Sequence, residues 1–298
     1  MHDSTFTPDA ATALGANALY ALRLGLAVLR SAKHKPDVLW VNTGDELQHW
    51  ADPSSRDALD FYAAVDELVG EYDSTGAIVG LTSDHGMNYK VNYEMEPRVV
   101  HLGDALDAAG HGPVHVSLPI QGSPAAHAHA NLGGAAFVRL LPLATEADDG
   151  NAREDEQQAL KQQERVDACL ACVREQPGVH MAFTSTYASK ALALPASRRL
   201  VGDIVVIGDQ DSVLAASQPA HPYAVGDASE LDERGFPRMF RSHGSVSENM
   251  VPLFLNRPVA DEARRRVFTG QCMNYDLLFV LGSRPHRVSS LSLRKCLR

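Results

Sequence analysis

Residues 38–82 repeat a physical pattern that few folds can use. Val38-Leu39-Trp40-Val41 is a short, continuously apolar run, and Ala77-Ile78-Val79-Gly80-Leu81-Thr82 is another. Strands that read apolar throughout, rather than alternating, suit a sheet covered on both faces. Between them, Pro53-Ser54-Ser55 offers an N-cap for a helical stretch at 56–72. That stretch sets Leu59, Tyr62, Val65, Val69 and Tyr72 near one face, and Gly76 ends it. Strand, helix and strand at this length predict a βαβ unit whose crossover makes its two strands parallel. The loops after Val41 and Thr82 would then leave the carboxyl ends of strands in one sheet, where open α/β folds place their ligands.

The rest of the chain extends an α/β reading. Residues 11–31 are rich in Ala and Leu, with apolar positions on more than half the helical wheel, and predict a largely buried helix. From about Val91 the texture changes. Strand-like pieces at 114–118 and 136–141 are interleaved with Gly, Ala and His, and the acidic stretch 145–156 reads as an exposed loop. Residues 157–175 predict a helix with Leu160, Val166, Leu170 and Val173 turned inward, while 178–184, 203–208 and 251–255 read as strands. The expected organisation is a discontinuous core at 1–95 and 236–281, an inserted α+β subdomain at 96–235, and a tail at 282–298. That tail holds five Arg or Lys residues and no acid.

Three polar signals stand at the ends of apolar runs. Asp45-x-x-x-His49 lies at a loop-to-helix junction, where a four-residue spacing projects carboxylate and imidazole to the same side. Asp84-His85-Gly86 follows Thr82. Consecutive side chains on a regular strand diverge, so this pair can converge only where the strand ends and turns. His243-Gly244 is again polar and glycine-backed, just before a strand. Each alone is a polar turn, but together they read as a metal centre of carboxylates and imidazoles.

The segments T-G-D-E-L-Q-H, L-T-S-D-H-G-M-N and R-S-H-G-S-V-S-E-N-M-V-P resemble the alkaline phosphatase superfamily, and most closely its phosphonoacetate hydrolases. They fit those hydrolases better than the manganese-dependent phosphoglycerate mutases. The resemblance runs from roughly Ala13 to Asp276, weaker in the inserted part. It implies an alkaline-phosphatase-like core with a mostly parallel sheet between helices, and a cap that covers the substrate. It also implies a two-zinc hydrolase of a small phosphonate or phosphate ester. Carried across by motif, Asp45, His49 and His243 would hold one zinc, and Asp84 with His85 part of the second. In the family a further aspartate and a threonine nucleophile complete the second site from upstream strands. Here 44 residues precede Asp45 and read as one helix and a polar start. Thr5, Thr7 and Thr12 follow no apolar strand, so no catalytic residue is nominated. The expectation is a chain lacking the nucleophile region, impaired as a phosphonoacetate hydrolase, with an exposed sheet edge that invites self-association. The alternatives are an inactive relative that binds metal or a partner, and another phosphodiesterase or pyrophosphatase of the superfamily.

Composition narrows the partners. A formal charge of −10 argues against nucleic acid, which selects a basic face. No apolar run reaches the roughly 18 residues of a membrane span. Residues 1–10 lack a basic n-region and an apolar h-region, so a cytoplasmic location is expected. Cys169 and Cys172 form a lone C-x-x-C inside a helical pattern, read as structural. His127 and His129 are read as solvent or packing residues.

Overall fold

The structure is a computed structural model that describes residues 10–31, 33, 35–94, 96, 98–119, 133–142, 152–195, 197–217, 241–258, 261–269 and 273–277. Thr5, Thr7, His127, His129 and the basic tail lie outside the described residues, and Thr12 lies on the first helix. The chain divides into two compact units, residues 1–85 with 250–298, and residues 86–249. No described helix is long and apolar enough to cross a membrane.

In the first unit, helix α1 (Ala10–Ser31) packs against α3 (Arg56–Ser74), with the short α2 (Glu46–Trp50) beside them. Leu26 and Leu29 of α1 meet Leu68 and Tyr72 of α3, with Leu39 and Val79 against the same cluster. The buried stripe of α3 differs from the expected one. Ala58, Leu68 and Tyr72 are buried and Phe61 and Val65 half-buried, a 3-4-3-4 spacing, while Leu59 and Tyr62 point outward. Helix α1 is likewise half-exposed rather than largely buried, because Tyr20, Leu24 and Val28 form an outward row at i, i+4 and i+8.

The predicted βαβ unit is corrected by the ladders. Residues 38–41 form no strand, and Val38 and Trp40 are exposed. A strand exists through its ladder hydrogen bonds, and none are made by 38–41 among the described residues. The second run shortens to β1 (Gly80–Thr82), which pairs antiparallel with β10 (Leu253–Leu255), Leu81 opposite Phe254. Asn256 ties this pair to α3: its Oδ1 accepts from the Val79 N–H at 2.7 Å, and its Nδ2 donates to Asp73 Oδ1 at 2.7 Å and the Ala77 carbonyl at 2.9 Å.

The second unit is built on an antiparallel four-stranded sheet in the order β4 (Val114–Ser117), β5 (Ala135–Leu140), β7 (Ile204–Gly208), β6 (Val179–Thr184). All five residues of β7 are buried, as expected of an uninterrupted apolar run in a central strand. Helices α4 (Leu102–Ala108) and α5 (Ala152–Arg174) pack on this sheet. Val166, Cys169, Leu170 and Val173 of α5 are buried, but Leu160, expected inward, is exposed. Cys169 is thus a core residue with a free thiol. Helix α6 (Ser185–Ala191) and the turn α7 (Arg198–Val201) supply Ala188 and Val201 to a cluster with Val205 and Ile207. Two small ladders complete the unit: β3 (Val99–His101) runs parallel to β8 (Val213–Ala215), and β2 (Asn88–Tyr89) antiparallel to β9 (Arg241–Ser242). Helix α8 (Asp261–Phe268) belongs to the first unit.

Candidate metal centre

Four of the five expected ligands lie in the first unit. Asp45 is the residue before α2, and His49 sits in the last turn of that helix. The helix is fixed by its opposite side: Leu47 and Ala51 are buried against Ala58, with Phe61 packed alongside. Anchored this way, α2 turns His49 back over its own first residue, and His49 Nε2 stands 3.3 Å from Asp45 Oδ2. Asp84 and His85 follow the end of β1, and the Ser83 hydroxyl donates to the His85 carbonyl at 2.7 Å to close the turn. His85 Nε2 lies 3.9 Å from the same Asp45 oxygen and 3.6 Å from Asp84 Oδ2. The side chains of His49 and His85 are 17% and 25% exposed, and that of Asp84 is 85% exposed, so the imidazoles are sheltered while one carboxylate stays wet.

The Asp45–His49 separation is longer than a direct charge-assisted bond and matches two ligands on one metal ion. A charge-assisted N–H···O bond is about 2.7–2.9 Å long. Ligand atoms around a tetrahedral zinc with bonds of about 2.0–2.1 Å stand about 3.3–3.4 Å apart, close to the 3.3 Å between Asp45 and His49. Carboxylate oxygen and neutral imidazole nitrogen are also the donor types that zinc takes. Asp45 and His49 therefore fit a divalent metal ion in donor type and spacing, and Asp84 and His85 fit one in donor type.

His243 lies in the second unit, directly after β9, and its loop is seated on the four-stranded sheet by one backbone and one side-chain hydrogen bond. The Gly134 N–H donates to the His243 carbonyl at 2.8 Å, and the Ser245 hydroxyl donates to the Gly208 carbonyl at 2.7 Å. Gly244 takes φ of 108°, a region L side chains avoid, and a Cβ on Gly134 would stand 2.8 Å from the Ser245 nitrogen. Both glycines are needed for this close approach. On β9 itself, buried Arg241 lays its guanidinium 5.2 Å from the Tyr89 ring centroid and donates to the Met87 carbonyl at 3.0 Å.

Beneath this loop is a buried polar group that the sequence reading missed. Lys90 Nζ and Glu248 Oε1 are 3.1 Å apart, with side-chain exposures of 0% and 1%. Burial pushes the Lys90 ammonium below its ordinary range, while the Glu248 carboxylate draws it back up. Glu248 Oε2 accepts from the Ser245 N–H at 2.7 Å, the reciprocal half of a capping box on the 3-10 turn Val246–Glu248. The S-V-S-E spelling is a capping-box signature and could have exposed Glu248. Lys90 has no comparable local signal, since its partner is 158 residues away.

Comparison with known proteins agrees with this architecture. Residues 10–237 match the family model for type I phosphodiesterase / nucleotide pyrophosphatase. The phosphonoacetate hydrolase of Sinorhizobium meliloti 1021, solved with phosphonoacetate, is 27% identical with a TM-score of 0.67. The same enzyme with phosphonoformate gives the same values. Each alignment covers 92% of this chain and 57% of the hydrolase, so the chain spans a little over half the length of that relative. The fold is therefore α/β and alkaline-phosphatase-like. The chain belongs to the type I phosphodiesterase / nucleotide pyrophosphatase family, within the alkaline phosphatase superfamily.

Proposed function

We propose that this chain carries the metal ligands of a zinc-dependent hydrolase acting on a small phosphonate, with phosphonoacetate the favoured substrate. The likeness to the Sinorhizobium meliloti hydrolase over 92% of the chain supports this reading most directly. By motif, Asp45, His49 and His243 would be the ligands of one ion. Asp84 and His85 contribute to a second. A bound divalent cation supplies Lewis-acid polarisation of phosphoryl oxygens and neutralises charge that develops on them. The chain's own residues orient that chemistry. Anchored α2 keeps Asp45 and His49 aligned, and the turn after β1 presents His85 toward Asp45. A second reading, hydrolysis of phosphodiesters or pyrophosphates, is favoured by the family match.

Three ligands are assigned to the first ion site and two to the second, and this inequality predicts that one zinc is held more tightly than another. Metal analysis after dialysis, with phosphate release from phosphonoacetate and p-nitrophenol release from a phosphodiester, tests this. Two equally tightly held zinc ions would refute the inequality. Selective turnover of the diester would favour the second reading.

A further inference from the structure

We propose that Lys90 and Glu248 are positioning residues of the metal centre: their buried ion pair fixes the loop bearing His243 and thereby sets how tightly that histidine engages a metal ion. The inference deepens the function proposed above and rests on it. Stability alone does not explain the pair. Taking two charges out of water costs desolvation that their attraction often fails to offset, and an apolar pair of similar volume commonly serves as well.

The hydrogen bonds around Glu248 supply a more specific reason. Its Oε1 accepts from Lys90 Nζ at 3.1 Å, Asn88 Nδ2 at 2.5 Å and Ser247 Oγ at 2.8 Å. Its Oε2 accepts from the Ser245 N–H, and its main-chain carbonyl accepts from the Gly86 N–H at 2.7 Å. Lys90 Nζ makes a further bond to the Gln210 carbonyl at 2.7 Å. One residue thus joins two stretches of chain. Gly86, Asn88 and Lys90 follow the Asp84-His85 pair directly, and Ser245 stands two residues past His243. The β2–β9 ladder, Asn88 opposite Ser242, ties the same stretches through their backbones. A carboxylate with both oxygens engaged and its charge matched by a buried ammonium resists rotation. That rigidity is what a ligand held to within about half an ångström requires.

The test uses the full chain and three readouts. Zinc affinity is measured by competition with a chromophoric chelator, the thermal midpoint is taken without metal, and amide hydrogen exchange is followed at Gly86 and Ser245 without metal. In the double variant Lys90→Met/Glu248→Leu, both charges leave together, so the metal-free midpoint is expected to fall less than in Glu248→Leu alone, which would strand the buried ammonium. Zinc affinity is expected to fall at least tenfold, as loss of a supporting partner behind a ligand typically does. Exchange protection at Ser245 is expected to be lost with it. Asn88→Ala removes one bond to Glu248 without unpairing a charge, and is expected to weaken zinc several-fold. A double variant with the parent's zinc affinity would overturn the proposal. Should the double variant not fold, unchanged affinity in Asn88→Ala overturns it instead. A His243→Ala chain serves as control. If it keeps full zinc affinity, the functional reading fails and the role given to the pair fails with it. If it alone loses affinity, only the role of the pair is overturned.

Discussion

Tyr72 couples packing to proton chemistry in one side chain. Its hydroxyl donates to the Leu22 carbonyl at 2.7 Å, in space that Gly25 leaves free; a Cβ on Gly25 would collide with the phenol. Burial raises the phenol above its ordinary value of 10.0. The folded state therefore holds the proton more tightly than the unfolded chain. The stability this contributes is fully present below pH 10 and is lost as pH rises through the higher folded value. Tyr72→Phe is expected to cost about 1 kcal/mol at pH 8 through the lost hydrogen bond. It should also flatten the decline in stability above pH 10. Urea unfolding of both chains from pH 8 to 11 measures this, and parallel pH profiles would contradict it. Tyr72 was foreseeable as an inward residue of its helix, but its partner Leu22 was not. Periodicity names a face and says nothing of which carbonyl lies opposite.

Helix α3 shows how far local signals reach for a whole element. Its start follows Ser55, whose hydroxyl oxygen accepts from the Ala58 N–H at 3.2 Å, and both residues are buried. Ser55→Ala is expected to destabilise the chain by about 1 kcal/mol, whereas Ser55→Asp should retain most of the cap. Thermal unfolding of the two variants checks the difference, and equal midpoints would contradict it. The ends of α3 were readable because caps and breakers are local chemistry. Its buried face was misread by one position, as Leu59 and Tyr62 lost their places to Ala58 and Phe61. Several apolar residues crowd the helix there, and only the neighbours Leu47 and Ala51 choose among them. The run at 38–41 failed for a related reason. Apolar composition permits a strand, but a ladder partner makes one, and Trp40 stays exposed.

At the scale of the whole molecule, a metal that binds only the folded state adds to its stability. Zinc at about 100 times its Kd should stabilise the chain by about 2.7 kcal/mol. Asp45→Ala should abolish that increment, and the metal-free midpoints of the two chains give the residue's own structural contribution. Differential scanning calorimetry with and without zinc separates the two effects. An undiminished zinc shift in Asp45→Ala would remove this residue from the ligand set. The family was legible in the chain alone, and so were the candidate donors Asp45, His49, Asp84, His85 and His243. Those rest on short motifs whose residue types and spacing are local chemistry. Tertiary structure alone decided that β1 pairs antiparallel with β10, which helix faces are buried, and that Lys90 meets Glu248. Each of these joins stretches far apart in the chain, and a buried charge becomes acceptable only when the fold delivers its partner.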